Sequence, residues 1–222
     1  MDRPHVTLKL ATSLDGRIAT TAGESRWITG EAARHEVQLM RSAVDAIMVG
    51  AGTVRADDPE LLARIEPAPP KRALRVVLDT KFSLAPRGRL FAALPQAPLL
   101  VIGAHVEDGG AGQVAALEKA GAQTAKVAAQ NGVVDASHAL RVLASQGIKT
   151  VLVEGGGKLA ASLIAQDLVD RLEWFRAPIV LGAEGRPSVA ALALTALSEA
   201  PAFRRVAVRE LGPDLWESYE RI

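Results

Sequence analysis

The sequence predicts an α/β fold: a mostly parallel central sheet flanked by helices and finished by an antiparallel C-terminal hairpin. Three observations carry the prediction. Apolar runs of strand length recur along the 222 residues. Segments with helical spacing lie between them, and strands that alternate with helices pair in parallel and are covered on both faces. Near the end, Gly212-Pro213-Asp214 separates two strand-like runs, which is a hairpin signal.

Residues 6–10 read as the first strand, with side chains 6, 8 and 10 facing one way and 7, 9 and 11 the other. A helix follows, because Ala33, Val37, Met40 and Val44 form one apolar stripe. Thr29 is placed to cap it. Residues 46–49, 74–78 and 98–102 read as further strands, and 66–71, with three prolines, as a surface loop. Asp135 caps a helix carrying Leu140, Leu143 and Ala144, and Gly147 ends it. Residues 150–153 form a strand that passes into a helix through Glu154-Gly155-Gly156-Gly157. Residues 172–181 read as another strand. Residues 203–211 and 215–219 make the hairpin, where Val206 and Val208 alternate as in a half-exposed strand. The strand–helix alternation runs on past every loop, without repeats or low-complexity tracts. Residues 1–222 therefore read as a single domain.

Composition narrows the function. Apolar residues make up 49% and charged residues 23%, as in an ordinary globular protein. A net charge of +1 gives no reason to expect nucleic acid or an anionic membrane as a partner. The absence of cysteine excludes disulfides, thiolate catalysis and sulfur-ligated zinc. The first residues lack a signal-peptide profile, and no apolar run is long enough to span a bilayer, so a cytoplasmic location is expected.

The richest stretch is the glycine run at 155–157. At the end of a parallel strand, glycines let the backbone approach a ligand, and the following helix offers unpaired N–H groups to a phosphate or pyrophosphate. The alternative is a tight, closely packed turn. Two familiar nucleotide fingerprints fail: Gly157-Lys158 precedes Leu159 with no glycine at 152, and Arg55 stands where a third glycine would follow Gly50-Ala51-Gly52. His105-Val106-Glu107 matches only half of a zinc deaminase motif. His35 and His138 read as surface or packing residues, and no metal is expected. Lys9, in mid-strand, either reaches solvent or places a cation at the floor of a cleft. Trp27, on a loop between glycines, covers a planar ligand or anchors its loop. Arg34 and Arg41 share a helix face. Asp57-Asp58-Pro59 reads as a turn or cap.

Taken in order, these segments resemble a known family. They are K-L-A-T-S-L-D-G-R-I-A (9–19), G-E-S-R-W-I-T (23–29), G-T-V-R-A-D-D-P (52–59), V-V-L-D-T (76–80), V-E-G-G-G-K-L (153–159), L-V-D-R-L (168–172) and A-P-I-V-L-G (177–182). The set is similar to the reductase domain of bacterial riboflavin-biosynthesis deaminase–reductases, a relative of dihydrofolate reductase. The resemblance implies a dihydrofolate-reductase-like fold, a homodimer, and NADPH-dependent reduction of the ribosyl group of 5-amino-6-(5-phosphoribosylamino)uracil to ribityl. It places Ala11, Trp27, Thr53, Asp57 and Thr80 at NADP-contacting positions, with Gly156, Gly157, Lys158, Leu159, Ala160, Ala161 and Ser162 around the pyrophosphate. Ser25, Arg41, Leu61, Arg64 and Glu154 fall at substrate positions. Lys9 ranks first as catalytic residue, able to polarise oxygen or deliver a proton, ahead of Glu154 and Asp57.

No deaminase segment accompanies the match, so deamination is expected from another protein, or the substrate is the still-aminated pyrimidinone. Rival readings are a drifted substrate, a pterin or dihydrofolate reductase, and a nucleotide sensor without chemistry. Asp79 at a strand end would repel a 2′-phosphate in a Rossmann fold, an effect that Lys81 and the Thr80 hydroxyl could offset.

Overall fold

The computed structural model describes residues 2–67, 72–104 and 110–222. The chain begins with β1 (His5–Thr12), β2 (Arg17–Ala19), α1 (Glu31–Ser42), β3 (Ala46–Gly50) and α2 (Ala51–Asp57). Next come β4 (Leu74–Leu78), α3 (Arg89–Ala92), β5 (Leu99–Ala104), α4 (Gly110–Lys119) and β6 (Gln123–Val127). A short ribbon of β7 (Ala129–Gln130) and β8 (Val133–Val134) leads to α5 (Ala136–Ser145), β9 (Thr150–Glu154) and α6 (Gly157–Ala165). The chain ends with β10 (Arg171–Arg176), β11 (Arg186–Pro187), β12 (Phe203–Leu211) and β13 (Asp214–Arg221). Two compact units result, one of residues 1–5 and 38–152, the other of 6–37 and 153–222. Most of the predicted loop at 66–71 lies outside the described residues.

In the first unit, β3, β4, β5 and β6 are neighbours in sequence order and all parallel. Parallel neighbours need crossovers, and successive right-handed crossovers in one direction put their helices on one face. That face holds Ile47, Val49, Val77, Leu99 and Val101, packed with Val54 of α2, Leu90 and Phe91 of α3 and Leu117 of α4. The alternate residues Met48, Val76, Leu100 and Ile102 are buried as well, as expected for strands covered on both faces. Gly103 has a local reason: a Cβ there would stand 2.3 Å from the buried Phe82 ring.

In the second unit the order is β12-β13-β10-β1, with β1 and β10 parallel and the two outer pairings antiparallel. The expected α/β architecture with a C-terminal hairpin holds. Asp170 fixes the start of β1 by accepting the Val6 amide at 2.8 Å.

Several boundaries differ from the sequence reading. The helix α1 starts one residue later than a Thr29 cap requires: Arg34 N–H closes the first turn on Gly30, and Val44 lies beyond its end at Ser42. The run 172–181 ends as a strand at Arg176, because Pro178 has no N–H to give and Asp15 captures the amides of Leu181 and Gly182. Asp214 belongs to β13 and not to the turn; Leu211 pairs with it across a two-residue loop whose Gly212 has φ +66°. The strand β12 is exposed from Arg204 to Glu210, Val206 and Val208 included, so no face of it is buried in the expected alternation. Asp135 caps α5 as anticipated, accepting the amides of Ser137 and His138, and Gly147 follows with φ +80°.

Candidate functional site

The second unit carries Lys9, Ala11, Ser25, Trp27, Glu154 and the 156–162 turn. In β1, Val6, Leu8 and Leu10 are fully buried while Thr7, Lys9 and Ala11 are half-buried, as the alternation predicts. Lys9 pairs in register with Glu173 of β10, and its Nζ stands 5.9 Å from the Phe175 ring centroid. Its ammonium thus lies over a ring of the neighbouring strand while the side chain keeps some exposure. Glu173 is buried; it accepts from Trp216 Nε1 and Ser218 Oγ, both at 2.5 Å, and from Arg171. Phe175 stacks on Trp216 with centroids 5.2 Å apart. Nothing in the sequence singled out Glu173: apart from Arg171, the partners named come from β13, some 45 residues on.

Beyond β1 the chain turns through Ser13, whose hydroxyl donates to Asp15 at 2.6 Å. That bond, followed by the Leu181 and Gly182 amides, holds the Asp15 carboxyl down to about 2. Trp27 is 69% exposed, with the Arg34 guanidinium 4.4 Å from its ring centroid. Its loop is thus steadied on one side by a cation, which leaves a large apolar surface outward. Ser25 is half-buried, and its carbonyl accepts from Ile28 N–H at 3.3 Å.

Glu154 ends β9 and is 8% exposed. Gly155 and Gly156 follow with φ +74° and +90°, the left-handed region that favours glycine. Gly157 is glycine for another reason: a Cβ there would stand 2.6 Å from the Pro187 carbonyl oxygen. Its own carbonyl accepts from Ala190 N–H at 2.9 Å. All three glycines are thus explained by turn geometry and backbone packing, and their number alone does not call for a ligand. The helix still presents its first amides, but Ala160 N–H is spent on Gly156 and the side chains of Ala160 and Ala161 are buried. By helix geometry the amides from Gly156 to Leu159 have no carbonyl partner within α6. Lys158 is exposed, and Ser162 Oγ accepts from Gln166 at 3.1 Å.

The first unit carries Arg41, Thr53, Asp57, Leu61, Arg64 and Thr80. Thr53 and Asp57 are half-buried on α2, which ends at Asp58 in a left-handed conformation. Asp58 Oδ1 accepts the Arg89 amide at 2.8 Å, so the paired acids do include a helix terminator. Arg41 donates to the Leu62 carbonyl at 3.1 Å. Leu61 is 2% exposed within the core cluster, so its side chain is closed to a substrate and only its backbone remains. Arg64 is exposed and lies 3.7 Å from Glu60. Arg89 hydrogen-bonds Glu60 at 2.7 Å and, with Arg64 and Arg41 nearby, lowers its pKa. Thr80 Oγ1 accepts the Val134 amide at 3.2 Å.

Asp79, read as a source of repulsion for a 2′-phosphate, is turned inward. Its carboxylate is 4% exposed and accepts from Ser83 Oγ at 2.9 Å and Leu84 N–H at 2.7 Å. His105 and Glu107 lie outside the described residues; His138 Nδ1 accepts the Ala128 amide at 3.1 Å, a packing role. Among the described residues, no group of three or more His, Cys, Asp or Glu side chains could hold a metal.

Comparison with known proteins follows this layout. The riboflavin biosynthesis protein RibD of Bacillus amyloliquefaciens is 35% identical over 214 residues, 96% of this chain and 56% of that protein. RibD of Escherichia coli K12 is 31% identical over 223 residues, 96% of this chain and 58% of that protein. The chain thus spans a little under three fifths of the relatives it matches. The solved structure of Acinetobacter baumannii RibD superposes with TM-score 0.83 at 28% identity, over all of this chain and 59% of that one. The riboflavin biosynthesis reductase Rib7 of Saccharomyces cerevisiae shares the fold, with TM-score 0.75 at 20% identity, over all of this chain and 91% of that one. The model of the RibD C-terminal domain matches residues 4–216, and the chain belongs to that family.

Proposed function

We propose that this chain is the NADPH-dependent reductase of riboflavin biosynthesis that converts the ribosyl group of 5-amino-6-(5-phosphoribosylamino)uracil to ribityl. The observation that carries the proposal is the family match over residues 4–216, which includes the Lys9 strand and the Glu154–glycine turn. NADPH, when bound, supplies the hydride. Lys9, half-buried beside Phe175, is suited to hold a proton near the sugar oxygen as the ring opens. Glu154, nearly buried, accepts hydrogen bonds from sugar hydroxyls or the pyrimidine, and Asp57 serves as a further polar contact. Arg41 and Arg64 are chemically suited to a phosphate. The amides from Gly156 to Leu159 fit a pyrophosphate. Residues 1–222 act as one reductase domain, in a cytoplasmic homodimer.

The test is NADPH oxidation, followed by nicotinamide absorbance, with the deaminated and the aminated ribosylaminopyrimidine phosphates in parallel. Oxidation with the deaminated compound alone is expected. Reduction of the aminated compound alone would move the enzyme one step in the pathway, and turnover of neither would remove the substrate half of the proposal. Lys9→Ala is expected to lower turnover by roughly a hundredfold or more while NADPH affinity stays nearly constant. Unchanged turnover would take Lys9 out of the mechanism.

A further inference from the structure

The carboxyl end of β4 carries an arrangement that the dinucleotide reading leaves unassigned. Where an open α/β sheet binds a dinucleotide, an acid at such a strand end accepts the ribose hydroxyl and repels a phosphate in its place. Here that acid is turned inward. Both Asp79 oxygens are engaged, one by Ser83 Oγ and one by the Leu84 amide. The Arg55 guanidinium lies 3.7 Å from the carboxylate and offsets its charge.

What faces outward is cationic. Arg55 Nη2 donates to Ser83 Oγ at 2.5 Å, while 51% of its side chain stays exposed. The bond and the ion pair both use Nη2, so Nη1 and Nε remain to donate. Ser83 accepts from Arg55 and gives its own proton to Asp79, so the buried acid aims the arginine through the serine. Lys81 is exposed in the same loop, two residues before Ser83. Thr80 Oγ1 accepts from Val134 N–H, which directs the hydroxyl proton elsewhere. A guanidinium fork, an ammonium and a hydroxyl donor form a donor set for a phosphate monoester, not for a ribose hydroxyl.

We infer that Arg55, aimed by Asp79 through Ser83 and assisted by Lys81, selects a dinucleotide bearing a 2′-phosphate over one with a free 2′-hydroxyl. The inference rests on the proposed dinucleotide-dependent reductase and names what fixes its coenzyme. Direct titration of the full chain with NADPH and with NADH, by fluorescence or calorimetry without substrate, separates the two ideas. The wild type is expected to bind NADPH more tightly. Arg55→Ala should weaken NADPH binding roughly ten- to hundredfold, the worth of a charge-assisted hydrogen bond, and NADH binding far less. Lys81→Ala should act in the same direction, and Arg55→Lys should fall between wild type and Arg55→Ala. Because Arg55 is exposed, the fold should survive, which circular dichroism checks. Equal wild-type affinity for the two coenzymes, or equal loss of both in Arg55→Ala, overturns the inference and leaves the reductase standing. Binding of neither coenzyme to the wild type overturns both.

Discussion

Arg75 shows how a charged side chain can serve a core. It lies in β4 on the face shared by Ile47 and Leu99, fully buried, and donates to the carbonyls of Glu60, Leu90 and Ala97. One arginine thus ties α3 to two loop segments of the first unit, at Glu60 and Ala97. Burial alone lowers its pKa to about 10, which leaves it charged at neutral pH. Arg75→Met would fill much of the same volume but leave three carbonyls short of a donor. At about 1–3 kcal/mol for each buried group left unsatisfied, a loss of about 3 kcal/mol or more is expected in urea unfolding. A change below about 1 kcal/mol would mean that those carbonyls find water or other donors. Asp15 sets a pH dependence instead. Its pKa falls from 3.8 unfolded to about 2 folded. A depressed acid stabilises the fold above the unfolded value, and that contribution disappears as pH falls from about 3.8 to about 2. Asp15→Asn should flatten the stability–pH curve in that window, as read by chemical denaturation at several pH values. An unaltered slope would refute the assignment.

At the level of elements, α6 and α5 make a useful contrast. Both begin after a strand or ribbon, but α5 is opened by a side-chain cap and α6 by glycines. Asp135→Ala removes the one oxygen that accepts two amides and should cost about 1 kcal/mol, as a lost N-cap does. Gly157→Ala pushes a methyl against the Pro187 carbonyl, which is backbone and cannot rotate away. A cost of about 1–3 kcal/mol is expected, measured by the same denaturation, because either α6 or the 187–190 segment must shift. A stable Gly157→Ala protein would return the third glycine to ligand approach as its reason. The Asp135 cap, the hairpin and the parallel strands were legible because each depends on neighbours in sequence: a carboxylate two residues before an amide, glycine at a two-residue loop, apolar runs buried on both faces. The role of Gly157 was not, because its partner lies thirty residues away. Likewise the end of β10 depends on Asp15, and the strength of Asp79 as a structural anchor depends on Ser83 and Arg55. For the site, residue types were readable; which atoms were already spent was not. The resemblance places Leu61 and Ala160 at contact positions, yet both side chains are buried, while Arg55 read only as a failed glycine fingerprint.

Across the molecule, protection from solvent is uneven, and the cause is topological. In the first unit β3, β4 and β5 have strand neighbours and apolar cover on both faces, with Val49, Val76, Val77 and Val101 fully buried. In the second, β12 closes its sheet at an edge, pairs only with β13, and is exposed from Arg204 to Glu210. Its side chains are held chiefly by surface ion pairs, such as Arg204 with Glu220 at 3.3 Å and Arg209 with Glu36 at 3.4 Å, each worth about 1 kcal/mol or less. Backbone amides that open only with the whole core exchange slowest, and an edge strand under such light cover opens locally. Native-state hydrogen exchange should therefore find β3 to β5 the most protected elements. The amides of β12 should exchange several orders of magnitude faster, and faster still in high salt as the ion pairs are screened. If β12 instead proved as slow as β4 at every protein concentration, edge position and exposure would not govern its opening. If its protection grew with protein concentration, association of chains would be covering it, as the proposed homodimer allows.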